Sequence, residues 1–303
     1  GAATDTIRGT SGNNVIYSDT TDYGSNVITN NDVIYAGTGE DKIYAGGGAD
    51  TIFTAAGSDT VYGGDGDDLV YGGLGSKIFG GNYIVATQSH TDSGTDTITY
   101  ESITSSVTVR LDANFAIVAA TGNSDIIFGI ENVIGTGFAD SIVGDAAANT
   151  LIGGAGNDTL NGLGGDNRLE GGADSDTIIS GSGNNYIDGG TGSDTVDYSF
   201  LTGIDFGDDT NGVTYYKNGI YYNGIKVDLT DTSEQRIHDN YGSDTILNIE
   251  NVIGSTKNDY IVGSNENNIL DGKGGDDYFV LGQGIDTILG DAGIDTITFT
   301  KTT

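Results

Sequence analysis

Carboxylates return in this chain on a nine-residue clock. Asp32, Asp41, Asp50, Asp59 and Asp68 keep it, after Asp5 and Asn14 on the same register. The clock restarts at Asp140 and strikes Asn149, Asp158, Asn167, Asp176, Asn185 and Asp194. A third run reads Asp259, Asn268, Asp277, Asp286 and Asp295. Ionised carboxylates only accept, so a regular row of them calls for cations. Other chemistries are poorly served. With no cysteine there is no thiolate nucleophile, disulfide or thiolate metal ligand. The two histidines, His90 and His238, lie near no serine nucleophile motif and have no metal-ligand spacing, so they read as lone surface residues. A glycosidase needs one distinct carboxylate pair in a cleft, and acids repeated everywhere provide no such pair. The expectation is a protein that is not an enzyme.

Composition narrows the partners. Among 303 residues, Asp plus Glu number 44 against 11 Lys plus Arg, a formal net charge of −33. Such an excess usually means disorder, but 52 glycines and regularly spaced β-branched residues accompany it here. A folded chain this acidic repels itself unless something positive binds, which makes nucleic acid an unsuitable partner and cations a suitable one. No run of eighteen apolar residues could span a membrane, and no Sec-type signal peptide opens the chain. Methionine is absent even at position 1, which suggests a processed or excised piece. Proline is absent too, as suits an uninterrupted sheet.

The elements that must position the carboxylates follow from the same period. Two residues after each clock position stands an apolar side chain. These are Ile34, Ile43, Ile52, Val61 and Val70, then Ile142, Leu151, Leu160, Leu169, Ile178, Ile187 and Val196, then Ile261, Leu270, Phe279, Ile288 and Ile297. Glycines fill the turn before the clock, as in Gly63-Gly64-Asp65-Gly66-Asp67-Asp68 and Gly189-Gly190-Thr191-Gly192-Ser193-Asp194. Each nonapeptide is therefore a glycine-rich turn ending in a carboxylate, then a three-residue strand with one inward side chain. One unit buries almost nothing; stacked units bury a column.

These residues resemble the RTX (repeats-in-toxin) family, whose motif is G-G-x-G-x-D-x-apolar-x. Full copies stand at 63–71, 153–161 and 189–197, with looser ones around them. The resemblance implies an all-β chain forming a right-handed parallel β-roll or β-solenoid with two nonapeptides per turn. Residues eighteen apart would then stack at roughly 4.8 Å, with Asp32, Asp50 and Asp68 on one edge and Asp41 and Asp59 on the other. Two bare carboxylates at that spacing repel by about 1 kcal/mol in water and about 3–4 kcal/mol at an effective dielectric of 20. Multiple calcium ions suit such columns, since calcium takes carboxylates together with backbone carbonyls. The expected ligands are Asp32, Asp41, Asp50, Asp59, Asp68, Asp140, Asp158, Asp176, Asp194, Asp259, Asp277, Asp286 and Asp295. The carbonyls of Gly37, Gly39, Gly46, Gly48, Gly64, Gly66, Gly154, Gly156, Gly172, Gly190, Gly192, Gly282 and Gly284 would complete them, glycine allowing the turns that aim them inward. The competing reading is that Asp and Asn only bond the turn backbone. It is strongest where Asn149, Asn167 and Asn185 stack, so the middle run is expected to load calcium on its Asp edge alone. Asp166 and Asp276 sit one place early and could serve shifted turns.

Five segments follow: roll blocks at 1–77, 140–196 and 259–303, separated by strand-rich insertions at 78–139 and 197–258. The insertions share Gly129-Ile130-Glu131-Asn132-Val133-Ile134-Gly135 and Asn248-Ile249-Glu250-Asn251-Val252-Ile253-Gly254. Glu131 and Glu250 are expected to satisfy buried backbone or bind a further calcium. Asn218-Gly219 and Asn223-Gly224 predict hairpin turns. The closing Asp295-Thr296-Ile297-Thr298-Phe299 reads as the start of a third insertion and suggests a longer array. Three residues after the clock, the first block carries Tyr17, Tyr35, Tyr44, Phe53, Tyr62 and Tyr71. They form either a stabilising aromatic ladder or a sticky stripe for a glycan, a protein or another copy of the chain. The composition and the resemblance together point to a calcium-stiffened module of an extracellular bacterial surface-layer protein, filament or large adhesin, exported by a type I system. The alternative is the folding and secretion domain of an RTX toxin or enzyme.

Overall fold

Three residues suffice for a strand here because each strand presents one side chain inward and finds its neighbours in the coils on either side. In Val33–Tyr35, Thr51–Phe53 and Leu69–Tyr71 the middle residues Ile34, Ile52 and Val70 are fully buried between half-buried flanks. The computed structural model describes residues 6–12, 14–17, 30–55, 57, 59–65, 67–71, 77–79, 82–84, 89–91, 95–119, 124–201, 215–217, 220–238 and 241–299. Two units are present, Gly1–Gly144 and Asp145–Thr303, and each is a parallel β-roll. Among the described residues the only helix is one 3-10 turn, Leu111–Ala113.

Parallel pairing joins residues eighteen apart, as in Val33 with Thr51, Lys42 with Thr60, Thr150 with Arg168 and Tyr260 with Tyr278. Two nonapeptides therefore make one coil. In the first unit the insertion extends the sheets. Leu69–Tyr71 pairs with Thr97–Thr99, which pairs in turn with Asn132–Ile134. On the other sheet, Ser124–Phe128, Phe115–Val118 and Val107–Arg110 run antiparallel to one another, and Val107–Arg110 then pairs in parallel with Ser141–Val143. The second unit repeats the device: Thr195–Asp197 pairs with Asn251–Ile253, and Asn185–Thr191 with Gly242–Leu247. Tyr215–Lys217 and Ile220–Tyr222 form the first expected hairpin, although residues 218–219 lie outside the described set. The second hairpin does not form. Lys226–Asp228 instead pairs in parallel with Tyr260–Val262, because Val227 gains complete burial in a column with Ile261 and Phe279.

The predicted columns are buried at Ile34, Ile43, Ile52, Val61 and Val70, through Leu151, Leu160, Leu169, Ile178, Ile187 and Val196, to Ile261, Leu270 and Phe279. Each buried side chain contributes about 2 kcal/mol. Ile288 and Ile297 depart from this: the first is half-buried and the second 49% exposed. The aromatics form two ladders because alternate nonapeptides lie on opposite sheets. Tyr17, Tyr44 and Tyr62 stack at 4.7 and 4.9 Å; Tyr35, Phe53 and Tyr71 stack at 4.7 and 4.4 Å. The rings lie face to face within 14°, so neighbouring rings cover the faces that a sugar would stack on. That geometry favours the stabilising ladder. His238 is buried beside Tyr241 rather than at the surface, and the side chain of His90 lies outside the described residues.

Candidate calcium sites on the roll edges

The first oxygen of each clock side chain is structural. Asp50 Oδ1 accepts the Asp32 backbone N–H at 2.7 Å, Asp59 accepts that of Asp41 at 2.9 Å, and Asp176 and Asp194 accept those of Asp158 and Asp176 at 2.7 and 2.8 Å. Asn does the same: Asn167 and Asn185 accept the N–H groups of Asn149 and Asn167 at 2.9 and 3.0 Å. The residue before the clock runs a second ladder in the opposite sense. Asp166 accepts the Asn184 N–H, Asp276 that of Ile294 and Asn157 that of Ser175. Asp166 and Asp276 therefore serve this ladder.

The second atom of the clock side chain separates Asp from Asn. Among the described residues, nothing hydrogen-bonds Oδ2 of Asp41, Asp59, Asp176, Asp194 or Asp277, and all five residues are at most 2% exposed. Where Asn167 stands, its amide Nδ2 donates to the carbonyls of Gly162, Gly164 and Gly165 at 3.3, 3.1 and 3.1 Å. Those carbonyls stand five, three and two residues before the clock. The amide thus supplies hydrogen-bond donors to a nest of carbonyl oxygens, and at an Asp position a carboxylate oxygen occupies the same place. Asp176 Oδ2 and the Gly189 carbonyl, for example, converge over Gly171, leaving no room for a Cβ there. Acceptors that face acceptors in a buried pocket are stable only with a cation between them or a proton added. Burial accordingly pushes the Asp59 and Asp176 carboxyls up to about 6 and that of Asp277 up to about 8, against the opposing backbone hydrogen bonds. Asp194 is raised for the same reason.

Whether the second oxygen is left in this state depends on the residue four before the clock. A left-handed residue stands there before each of the five: Gly37 (φ 99°), Ala55 (61°), Gly172 (117°), Gly190 (99°) and Lys273 (65°). Before Asp140 and Asp259 that residue is not left-handed, and its N–H turns inward. Thr136 then donates its N–H to Asp140 Oδ2 at 2.6 Å and its hydroxyl to Oδ1 at 3.0 Å, while Ser255 donates to Asp259 at 2.7 Å through both groups. Asp140 and Asp259 therefore differ from the five in that protein donors reach both of their oxygens, although Asp259 Oδ2 still faces the Asp271 and Gly272 carbonyls over Gly254. Asp125 and Asp244, the carboxylates closing the insertions, are held otherwise. The buried Tyr100 and Tyr198 hydroxyls donate to their Oδ2 atoms at 3.1 and 2.8 Å. Asp286 and Asp295 lie half-buried in the last coils, accepting the N–H groups of Asn268 and Asp277.

The carbonyls also sort by position. Gly165, two before the clock, is the counterpart of Gly39, Gly48, Gly156, Gly192 and Gly284. The carbonyls four before it are not acceptors of the Asn167 amide, and those of Gly46, Gly154 and Gly172 lie against the glycine eighteen residues on. Gly66 lies outside the described residues. Missing from the sequence reading were the carbonyls five and three before the clock and the role of Thr136 and Ser255. A hydroxyl residue replacing glycine four before the clock was the available signal. Among the described residues no three acidic or histidine side chains converge, so carbonyls must supply most of the coordination of any bound ion.

Parallel rolls with buried carboxylates facing turn carbonyls define a class of cation-stabilised repeat protein. The chain belongs to the RTX calcium-binding nonapeptide repeat family, whose model matches residues 1–20, 29–61, 46–76, 134–169, 161–196, 253–288 and 280–298, together more than half of its length. A search of curated proteins returned no match. No helix among the described residues is long and apolar enough to cross a membrane.

Proposed function

We propose that this chain is a calcium-binding structural module of a secreted bacterial surface protein, of the surface-layer, filament or adhesin kind, which folds and stiffens on external calcium. The observation that supports calcium binding is the buried second carboxylate oxygen set among turn carbonyls. Asp41, Asp59, Asp176, Asp194 and Asp277 would hold the ions, with Asp32, Asp50, Asp68 and Asp158 at equivalent positions. The matching carbonyls five, three and two residues before the clock would complete the shells. The net charge of −33 supports a site outside the cell, where calcium is plentiful enough to offset it. Because the ion and the fold need each other, binding energy is folding energy. Circular dichroism in a chelator should lose its β signal, recover it in millimolar calcium and recover much less in magnesium, which dehydrates reluctantly. An unchanged spectrum in chelator would overturn the reading.

A further inference from the structure

We infer that at the seam where residues 197–258 rejoin the roll the metal site of Asp194 is completed by residues outside the nonapeptide, the Glu250 carboxylate and the backbone carbonyl of Asn248. The inference rests on the calcium reading above and extends it to a residue outside the nonapeptide. Within the regular roll, the second oxygen of a clock aspartate meets the carbonyl of the first glycine of the next coil. Asp158 meets Gly171 over Gly153, and Asp176 meets Gly189 over Gly171. After Asp194 the next coil has no such glycine turn. Over Gly189 the Asn248 carbonyl meets Asp194 Oδ2 instead, delivered by a left-handed Asn248 at φ 52°.

The next clock carboxylate is replaced as well. Asn251 pairs with Thr195, so Glu250 lies opposite Asp194, where the regular roll would place another aspartate. Glu250 Oε2 accepts the Asp194 N–H at 2.8 Å, while the N–H groups of Glu250 and Asn251 donate to the Asp194 carbonyl at 3.1 and 2.8 Å. The first insertion repeats the arrangement: Glu131 Oε2 accepts the Asp96 N–H at 2.8 Å, and Gly129 is left-handed at φ 62°. A glutamine would make the same hydrogen bond without charge. Glutamate instead puts a second negative charge beside Asp194, which is fully buried and whose Oδ2 has no hydrogen-bond partner among the described residues. That choice is destabilising unless a cation lies between the two carboxylates.

Glu250→Gln separates the roles, since it keeps the acceptor for the Asp194 N–H and removes the charge. Equilibrium dialysis with calcium should count one ion fewer per chain, with the β signal retained in saturating calcium. Asp176→Asn, inside the regular roll, serves as the reference. If Asp176→Asn lowers the count and Glu250→Gln leaves number and affinity unchanged, the seam site is refuted while the calcium reading stands; if neither lowers it, both are refuted. Anomalous density from calcium-saturated wild-type crystals supplies an independent measurement. An ion within about 2.6 Å of both an Asp194 and a Glu250 oxygen is expected, and none touching Glu250 would overturn the inference even if the variant does not fold.

Discussion

A carboxamide and a carboxylate have nearly the same shape, and the roll uses that near-identity. Asn167 and Asp176 each accept a backbone N–H through one oxygen. They differ in what they offer the turn: Asn167 donates to three carbonyls, while Asp176 turns a bare oxygen into the same kind of place. Asparagine thus does with its own amide what a bound cation would do at an aspartate turn. A proton is the other remedy, and it gives a pH prediction. The ordinary aspartate value is about 4, and burial raises Asp59 and Asp176 to about 6 and Asp277 to about 8. Between about pH 4 and pH 8 the calcium-free fold therefore binds more protons than the unfolded chain, and its stability falls as pH rises through that window. Without calcium, the residual β signal should be larger at pH 5 than at pH 8. Calcium displaces those protons, so its affinity should rise over the same range. An equal or larger calcium-free β signal at pH 8 would count against this electrostatic reading.

At the scale of the element, the turn decides which face of the peptide each clock side chain sees. The alternation of turn, carboxylate and inward apolar residue was legible in the sequence because a nine-residue period repeats it many times. The state of each turn was not. Ala55, Leu163, Lys273 and Asp291 adopt left-handed conformations at φ 54–65° that L-residues disfavour, imposed by stacking on neighbouring coils. Thr136 and Ser255 stand where other turns have a left-handed residue, and they donate hydrogen bonds to Asp140 and Asp259. Leu163 provides a direct test, because glycine there removes the left-handed cost of about 1–2 kcal/mol and loses part of it to backbone entropy. Leu163→Gly should raise stability in calcium by about 1 kcal/mol, read as a higher denaturant midpoint at unchanged slope. A lower midpoint would mean that the Leu163 side chain contributes more than its strain removes.

For the whole molecule, net charge and repeat number act together. A charge of −33 opposes compaction, and each coil alone is too small to overcome it; ions bound along the edges change the balance for every coil they join. The insertions fit the same plan, since Glu131 and Glu250 continue the ladders across them. The sequence showed those glutamates as a repeated pair, but their register with Asp96 and Asp194 depends on strand pairing that no local pattern encodes. The central claim, that ions occupy the aspartate turns and amides fill the asparagine turns, is tested most directly by anomalous scattering at a long wavelength from crystals grown in calcium. Calcium peaks are expected beside Asp41, Asp59, Asp176, Asp194 and Asp277 and none beside Asn167 or Asn185. Density beside Asn167 as strong as that beside Asp176, or no density at Asp176 in saturating calcium, would contradict it.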